Sequence, residues 1–275
     1  MAHNDLAKQK IWHKAYEHAL GTITSLRNHN DFKYERDAKD ADIVYILNAF
    51  IPTAKKYTPG TDIEREAVDS SRKELKIDQF YYFNIELDDV DAVQSVDGAL
   101  EASAEEGARA LTEQADIYTA ALIKAGVADE SIATITAGAV TKTNAVDKVE
   151  EAFAVLYGKN VKPTSNFYLE LKPKFYTAIR QNLTELYTNN VEMAKKGFVG
   201  RYGNAQVSIE NLLPDDGTND LNVLRTGKAI AFVEQLRETK HYEPEGSFSK
   251  AIKALYVYGA KVINPEQIVA IPTTK

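Results

Sequence analysis

Residues 75–87 alternate between apolar and polar side chains over thirteen positions, and this pattern constrains the fold more than any other part of the sequence. The apolar positions are Leu75, Ile77, Tyr81, Phe83, Ile85 and Leu87. Successive side chains of a β-strand point to opposite faces, so the alternation predicts a single half-buried strand about 40 Å long. Two aromatic residues, Phe80 and Tyr82, interrupt the polar face.

A long amphipathic helix is predicted to follow this strand. Apolar residues recur at gaps of three or four positions, the spacing of one helix face. They are Leu100, Ala104, Ala108, Leu111, Ala115, Tyr118 and Leu122. Asp97 is a suitable N-cap and Gly126 a suitable end, so we expect a helix over about residues 98–125. Because three of the seven residues of the apolar stripe are alanine, the helix should lie close to a sheet.

The other parts of the chain alternate between shorter strand and helix patterns, which predicts the α+β fold class. Strands are predicted at Ile43–Leu47, Ile132–Val140, Phe167–Leu171, Gln206–Leu212, Ala229–Leu236, Lys250–Tyr258, Lys261–Ile263 and Ile268–Ile271. Helices are predicted at Ala145–Tyr157 and Pro173–Tyr187. Residues 214–220 have the Pro, Asp and Gly content of a surface loop.

Two segments are predicted to gain burial outside their own subunit. Residues 1–30 contain a basic amphipathic helix pattern that stops at Gly21, which is typical of an arm that docks on a partner. Residues 48–74 contain apolar residues too sparse for a core and are interpreted as a protruding two-stranded flap. The candidate assembly contacts are Trp12, Tyr16, Phe50, Lys55, Lys56, Tyr57, Arg65, Lys195 and Arg201.

Composition excludes several classes of protein. The absence of cysteine excludes disulfides, thiolate metal sites and a cysteine nucleophile. The sequence starts without a signal-peptide core and contains no stretch near the ~20 apolar residues of a membrane span, so no membrane partner is expected. The net charge of −7 argues against a protein that mainly grips phosphate backbones. These features predict an acidic intracellular protein.

No motif in the sequence predicts catalysis, a cofactor or a metal site. His13 and His18 are five residues apart and would not share a helix face. Nine acidic residues and no basic residue lie between Lys76 and Arg109, and their oxygens would suit a cation such as Ca²⁺. Their spacing does not match a calcium loop, and a solvated acidic face is the favoured interpretation. A metal-dependent α+β enzyme is the remote alternative.

Several motifs resemble the major capsid proteins of tailed bacteriophages. Residues 75–94 read LKIDQFYYFNIELDDVDAVQ, similar to the strand that leads from an extended loop into the long spine helix of that family. Residues 57–63, YTPGTDI, are similar to the loop before this strand. Residues 256–269, YVYGAKVINPEQIV, resemble the closing strands of the family, and Asn28–Phe32 resembles its segment before the first strand.

This resemblance implies the Hong Kong ninety-seven type shell fold. The implied domains are an N-terminal arm at residues 1–30, an extended loop at 48–74, a peripheral domain and an axial domain. The peripheral domain would comprise 31–47 and 75–130, with the spine helix at about 98–125 and a strand near 249–262. The axial domain would comprise 131–248 and 263–275.

The resemblance also implies a function. The chain would be a major capsid protein, not an enzyme and without cofactor, that forms hexamers and pentamers of an icosahedral shell around a phage genome. The implied partners are sister copies, a separate scaffolding protein, a portal protein and packaged DNA held by non-specific contact. The scaffolding protein is expected to be separate because no long scaffolding segment precedes the arm. The implied location is the virion, assembled in the host cytoplasm. An encapsulin-like nanocompartment shell is the alternative with the same fold.

Overall fold

A computed structural model of the chain describes residues 26–38, 42–47, 54–56, 59, 62, 72–88, 99–185, 200–246 and 249–275. The predicted arm helix and most of the predicted flap lie outside these residues. Among the described helices, none combines the length and the apolar character needed to cross a membrane.

The described residues form three α-helices, three short 3-10 turns and eleven strands. The helices are α1 (Ala99–Ala128), α2 (Ala145–Gly158) and α3 (Pro173–Glu185). The 3-10 turns are Leu26–His29, Glu35–Ala38 and Pro265–Gln267. The strands are β1 (Ile43–Leu47), β2 (Arg72–Lys76), β3 (Gln79–Asp88), β4 (Ala133–Thr134), β5 (Phe167–Leu171), β6 (Arg201–Tyr202), β7 (Ala205–Ile209), β8 (Asn219–Thr226), β9 (Ile230–Tyr242), β10 (Ser249–Val262) and β11 (Ile268–Thr274).

β3, β10 and β9 form an antiparallel sheet in that order, and α1 packs on one face of it. The small residues of α1 allow a close approach, since a Cβ added at Gly107 would lie 2.9 Å from the Phe83 ring. Leu111 on the helix and the fully buried Tyr256 and Tyr258 on β10 belong to one apolar core. The alanine stripe predicted to approach a sheet does so.

A second sheet has six strands in the order β4-β11-β8-β5-β7-β6. β4 runs parallel to β11 and β5 runs parallel to β7, while the other neighbours are antiparallel. Side chains of α2 and α3 share a core with this sheet that is separate from the core under α1. The described residues therefore form two large cores, one under α1 that also takes in Val223, Ile268 and Ala270 of the six-stranded sheet, and one between that sheet, α2 and α3.

The hairpin of β1 and β2 packs on the three-stranded sheet, on the face opposite to α1. Val44, Ile46 and Leu75 of the hairpin share a small core with Val233 and Val257 of the sheet. The backbones approach closely at Gly259. A Cβ added there would overlap the carbonyl oxygen of Lys76 and lie 2.9 Å from the Cα of Ile77. Glycine is therefore needed at position 259 for the hairpin to sit on the sheet.

The prediction of a single strand over residues 75–87 is wrong, because the chain forms two strands with different partners. β2 pairs with β1, whereas β3 pairs with β10. At the break, the Ile77 amide donates to the Asp42 carbonyl oxygen at 3.0 Å, and the Ile77 side chain enters the hairpin core. The apolar phase runs through Leu75 and Ile77 and resumes at Tyr81, with Gln79 as its one polar member, so the period of two continues on both sides of the break.

The helix predicted over residues 98–125 is α1, but it continues past Gly126 to Ala128. Gly126 does not end the helix. A Cβ at this position would lie 2.6 Å from Cδ1 of Ile132, so the missing side chain makes room for the chain that returns over the last turn. The glycine therefore serves packing rather than capping.

Several strands in the structure also differ from the predicted ones. No strand is predicted at Asn219–Thr226, yet β8 lies inside the six-stranded sheet, and its buried Asn222 and Arg225 interrupt the apolar run expected of a central strand. Only Ala133–Thr134 of the strand predicted at Ile132–Val140 form β4. The two strands predicted within residues 250–263 are one strand, β10. The predicted axial domain includes β9, but β9 pairs with β10 in the three-stranded sheet.

Substitution of Gly259 by alanine tests the close contact between hairpin and sheet. We expect Gly259→Ala to lower the free energy of unfolding by about 1–3 kcal/mol, because the added methyl group overlaps backbone atoms that cannot rotate away. Gly158→Ala is the matched control, since no atom lies within 4 Å of the Cβ position there. It should leave the stability unchanged or raise it slightly. Equal stability of both variants in denaturant titrations would contradict the packing described here.

Candidate functional site

The structure describes three of the nine candidate assembly contacts. Lys55, Lys56 and Arg201 are exposed, and Arg201 lies on the edge strand β6. The other candidates lie outside the described residues: Trp12, Tyr16, Phe50, Tyr57, Arg65 and Lys195. The described residues therefore do not test these candidates as one surface, and all nine stay predictions.

Among the residues that the structure describes, the most exposed aromatic side chains lie on the three-stranded sheet, on the face away from α1. Phe80 and Tyr82 are 65% and 76% exposed. Tyr81 and Phe83, which occupy the alternate positions of the strand, point into the core under α1, as the alternation of a strand requires. We call the surface formed by Phe80, Tyr82 and Leu255 the aromatic face. Its sequence signal is the pair of aromatic residues in the polar phase of the alternation.

A groove of about 260 Å³ lies along the aromatic face. Its lining consists of Tyr82, Asn84, Glu238, Lys240, Lys253, Ala254 and Leu255. The amide of Asn84 donates to the Tyr242 hydroxyl at 2.8 Å, and the Lys253 ammonium lies 4.8 Å from the centre of the Tyr242 ring. These contacts fix a polar rim beside two exposed rings, an arrangement typical of a protein-binding surface.

The predicted flap begins and ends at the open end of the hairpin. Leu47 at the end of β1 is paired with Arg72 at the start of β2, so the two ends of the flap are adjacent. Along β2, Lys76 lies against Gly259 and the Lys73 ammonium donates to the Ile263 carbonyl oxygen. The open end of the hairpin therefore points along β10 towards Ile263, away from the aromatic face.

A buried ionic cluster joins the two sheets. Its centre is the pair of Arg225 on β8 and Glu170 on β5, both fully buried. The Nε and Nη2 atoms of Arg225 donate to Oε1 of Glu170 at 2.9 and 2.7 Å. The ring Nδ1 of His29 lies 2.9 Å from the same oxygen, and the His29 ring stacks on Tyr168 at 4.2 Å. One carboxylate oxygen thus receives three contacts from two cationic or polar side chains.

Arg225 also holds the start of the described chain. Its Nη2 donates to the Leu26 carbonyl oxygen at 2.8 Å, and its Nη1 donates to Oδ1 of Asn30. One guanidinium therefore connects a strand of the six-stranded sheet to the segment that follows the predicted arm. This use of all three guanidinium nitrogens is a role that lysine could not fill.

Arg27 forms the other half of the cluster. Its side chain contacts the Glu234 carboxylate on β9, and its amide donates to Oδ1 of Asp116 on α1 at 2.8 Å. The Tyr256 hydroxyl on β10 donates to the same Glu234 oxygen at 2.8 Å. The segment Leu26–Asp31 is therefore bound to both sheets and to α1 by buried polar contacts.

Burial shifts the acidities inside the cluster in opposite directions. Burial alone would raise the pKa of Glu170, but Arg225 and His29 hold that pKa below its ordinary value. Burial raises the pKa of Glu210 to about 8, and the nearby Glu170 and Asp116 carboxylates add to the increase. Glu170 is therefore ionised at neutral pH, whereas Glu210 carries a proton.

The contacts of the cluster are those of a group with a structural role. Guanidinium, imidazole, hydroxyl and amide groups of the chain itself contact one oxygen of each of Glu170, Glu234 and Asp116, while Oε2 of Glu170 is buried without a hydrogen bond. Within the described ranges, no group of three or more His, Asp or Glu side chains could hold a metal ion. The cluster fixes the relative positions of backbone segments.

Comparison with solved structures identifies the fold. A structure of Mycobacterium phage Che8 matches with a TM-score of 0.75 and 26% identity, over 91% of this chain and 92% of that one. The capsid structure of the cyanophage P-SCSP1u matches with a TM-score of 0.69 and 15% identity, over 86% and 85% of the two chains. The chain has the shell fold of tailed-phage major capsid proteins.

Other comparisons add detail. A virus-like particle from Pyrococcus furiosus has the same shell fold at a TM-score of 0.56 and 16% identity, over 94% of this chain and 96% of that one. No protein-family model and no curated protein matches the sequence. The resemblance found in the sequence is thus confirmed by structure.

The sequence did not predict the cluster. Glu170 is the single charged residue of Phe167–Leu171, and Arg225 is the single charged residue of Leu221–Thr226. A single charged residue inside a buried strand is a weak signal that a partner exists, but it does not name the partner. Glu170 and Arg225 are 55 residues apart, and Arg225 and Asn30 are 195 apart. Only the fold brings them together.

Replacing Arg225 by methionine tests the centre of the cluster. We expect Arg225→Met to destabilise the subunit by about 3–5 kcal/mol, because it leaves the Glu170 carboxylate buried without its guanidinium. Arg109→Met is the matched control, since that side chain is 64% exposed on α1. The control should change the stability by less than about 0.5 kcal/mol. Denaturant unfolding of the unassembled protein measures both, and a small loss for Arg225→Met would refute the central role of the pair.

Proposed function

We propose that this protein is the major capsid protein of a tailed bacteriophage, and that it self-assembles into the icosahedral shell enclosing the phage genome. The observation that carries the proposal is the shell fold, which matches phage structures over most of the chain. The protein is a structural subunit that acts through contacts with its own copies. Its place is in the virion.

The domains of the proposal follow the two cores. The three-stranded sheet with α1 is the peripheral domain, and α1 is the spine helix. The six-stranded sheet with α2 and α3 is the axial domain. Residues 1–30 are the arm and residues 48–74 the extended loop, which starts and ends at the β1–β2 hairpin. β9 joins the peripheral domain because its partner strand is β10.

The aromatic face supports assembly by contact between subunits. Covering the exposed Phe80 and Tyr82 rings would contribute roughly 1–2 kcal/mol for each ring. A single contact of this size is weak. A closed shell repeats it at every subunit, so the sum is large while each step stays reversible. The extended loop, whose ends Leu47 and Arg72 are paired in the hairpin, would lie over a neighbouring copy.

The proposed partners follow from the same function. Sister copies form hexamers and pentamers, a separate scaffolding protein directs assembly in the host cytoplasm, and a portal protein occupies one vertex. DNA contact is non-specific, because the net charge of −7 opposes tight binding of phosphates.

An encapsulin-like nanocompartment shell is the second candidate, because the virus-like particle from Pyrococcus furiosus has the same fold. Its lower TM-score, 0.56 against 0.75, favours the phage capsid. The contents of purified particles separate the two functions, since a phage head holds genomic DNA and a nanocompartment holds protein cargo.

Electron microscopy of a loop variant tests the assembly role of the flap. We expect that replacing residues 49–70 by a short Gly/Ser turn leaves a folded subunit that forms no shells, because Leu47 and Arg72 are already adjacent and the hairpin survives. The unchanged chain should form capsomers or closed particles under the same conditions. Normal shells from the variant would show that the flap is not an assembly element.

A double substitution tests the aromatic face. Phe80→Thr with Tyr82→Thr keeps residues suited to a strand and removes both exposed rings. We expect the unfolding free energy to change by less than about 1 kcal/mol and shell formation, followed by light scattering, to be lost or strongly slowed. Ile117→Gln is the control, since Ile117 is 42% exposed on α1. Assembly at the rate of the control would remove the aromatic face from the proposal.

A further inference from the structure

The six-stranded sheet has an apolar face towards α2 and α3 and a partly polar face on the other side. Leu169 on β5 and Val207 on β7 belong to the core under α2 and α3. Successive side chains of a strand point to opposite faces, so the next residues along the two strands, Glu170 and Ser208, point to the other face. Both side chains are buried there, with residue exposures of 0% and 3%.

The strand register places Glu170 and Ser208 side by side. The two residues are partners in the parallel pair of β5 and β7, and on its other side Glu170 is the partner of Val223 in β8. Neighbouring strands lie about 4.8 Å apart. The Glu170 and Ser208 side chains therefore start from adjacent backbone positions and enter the same space, beside Val223 of the core under α1.

The carboxylate of Glu170 is satisfied on one side only. Its Oε1 atom accepts both hydrogen bonds from Arg225 and also contacts His29. These contacts fix the plane of the carboxylate and with it the position of Oε2. Among the described residues, no group donates a hydrogen bond to the buried Oε2 atom. Such an arrangement is costly, because a charged acceptor taken out of water loses strong hydrogen bonds.

Ser208 carries a second buried oxygen of the same kind. No group among the described residues forms a hydrogen bond with its Oγ atom, although a hydroxyl can donate one hydrogen bond and accept two. Two polar atoms on register partners thus lack contacts in the same place, and no direct hydrogen bond joins them. Because two hydrogen bonds in series span up to about 5.5 Å, one water molecule can connect the two oxygens.

We propose that a single buried water molecule binds between Oε2 of Glu170 and Oγ of Ser208. The water donates one hydrogen bond to the carboxylate and forms a second with the serine hydroxyl, so that both groups are satisfied. A cation would suit this place less well. Arg225 and His29 already contact the carboxylate, and the described residues offer no group of three metal-binding side chains. The water extends the polar contacts of the cluster from β8 and β5 to β7.

A structure of the full-length protein at a resolution that shows ordered water tests the site directly. We expect one density peak about 2.6–3.2 Å from both Oε2 of Glu170 and Oγ of Ser208. A direct hydrogen bond between the two residues, or a contact of Oε2 with another part of the chain in place of water, would overturn the proposal. So would a peak surrounded by oxygens at the distances of a bound cation, or the lack of any peak.

Replacing Ser208 by alanine tests the site by the sign of its effect on stability. If the hydroxyl binds water, Ser208→Ala removes a hydrogen bond, and we expect the unfolding equilibrium constant to rise roughly three- to tenfold. If the hydroxyl is buried in a dry space without a partner, its removal favours folding and the constant falls. Denaturant titration of the full-length, unassembled chain measures the constant. A constant that falls or stays unchanged would contradict the water bridge.

Gln206→Ala is the matched control for this variant. Gln206 lies on the same strand and the same face as Ser208, but its side chain is exposed. The control should change the unfolding equilibrium constant by about twofold or less.

Ser208→Val is the complementary variant. Its two methyl groups take the place of the hydroxyl and the water, and they leave Oε2 of Glu170 without a donor. We expect a larger rise in the unfolding equilibrium constant than for Ser208→Ala, and no density peak beside Glu170. A water peak retained in Ser208→Val, or a smaller rise than for Ser208→Ala, would argue against the bridge. Because stability is measured on the free subunit, each of these results leaves the proposed capsid function untouched.

Discussion

The buried guanidinium of Arg225 is the group on which the position of the segment Leu26–Asp31 depends, because it joins that segment to Glu170 on the neighbouring strand of the six-stranded sheet. The core under α1 contains residues of both sheets, and apolar packing is non-directional, so packing alone would tolerate small changes in how this segment and the sheets meet. A buried guanidinium is different, because it is stable only where every donor finds an acceptor. Arg225 finds them on β5, at Leu26 and at Asn30. The geometry at this junction is therefore specified far more narrowly than packing alone would specify it.

This junction matters for a shell subunit because small errors of angle accumulate around a closed lattice. A rigid connection between the two cores transmits the orientation of one sheet to the other. The same side chains hold the segment that leads to the arm, so one cluster fixes two features that sister copies must share.

The outer surface of the three-stranded sheet has the opposite character. α1 covers one face, the hairpin covers part of the other, and Phe80 and Tyr82 stay exposed. A free subunit keeps these rings in water, where their burial is available to a neighbour. The close contact at Gly259 sets the position of the hairpin on this side of the sheet, and with it the paired residues Leu47 and Arg72 between which the proposed extended loop lies. The three-stranded sheet thus has one face buried under α1 and another face on which aromatic rings stay exposed.

The sequence by itself determined what depends on local periodicity: the long α1, the helix Ala145–Gly158, the strand Phe167–Leu171 and the order of motifs that resembles capsid proteins. Tertiary structure decided what depends on partners. Residues 75–87 form two strands, β2 and β3. The apolar side chains of β2 pack on one face of the three-stranded sheet, whereas those of β3, which belongs to that sheet, lie on its other face under α1. Tertiary structure also revealed β8 and the Arg225 cluster, whose polar residues read as surface until their counterparts, up to 199 positions away, complete their hydrogen bonds. The alternation of apolar and polar residues predicts that one face of a strand is buried. Which element packs on that face is decided by contacts between segments that are distant in the sequence.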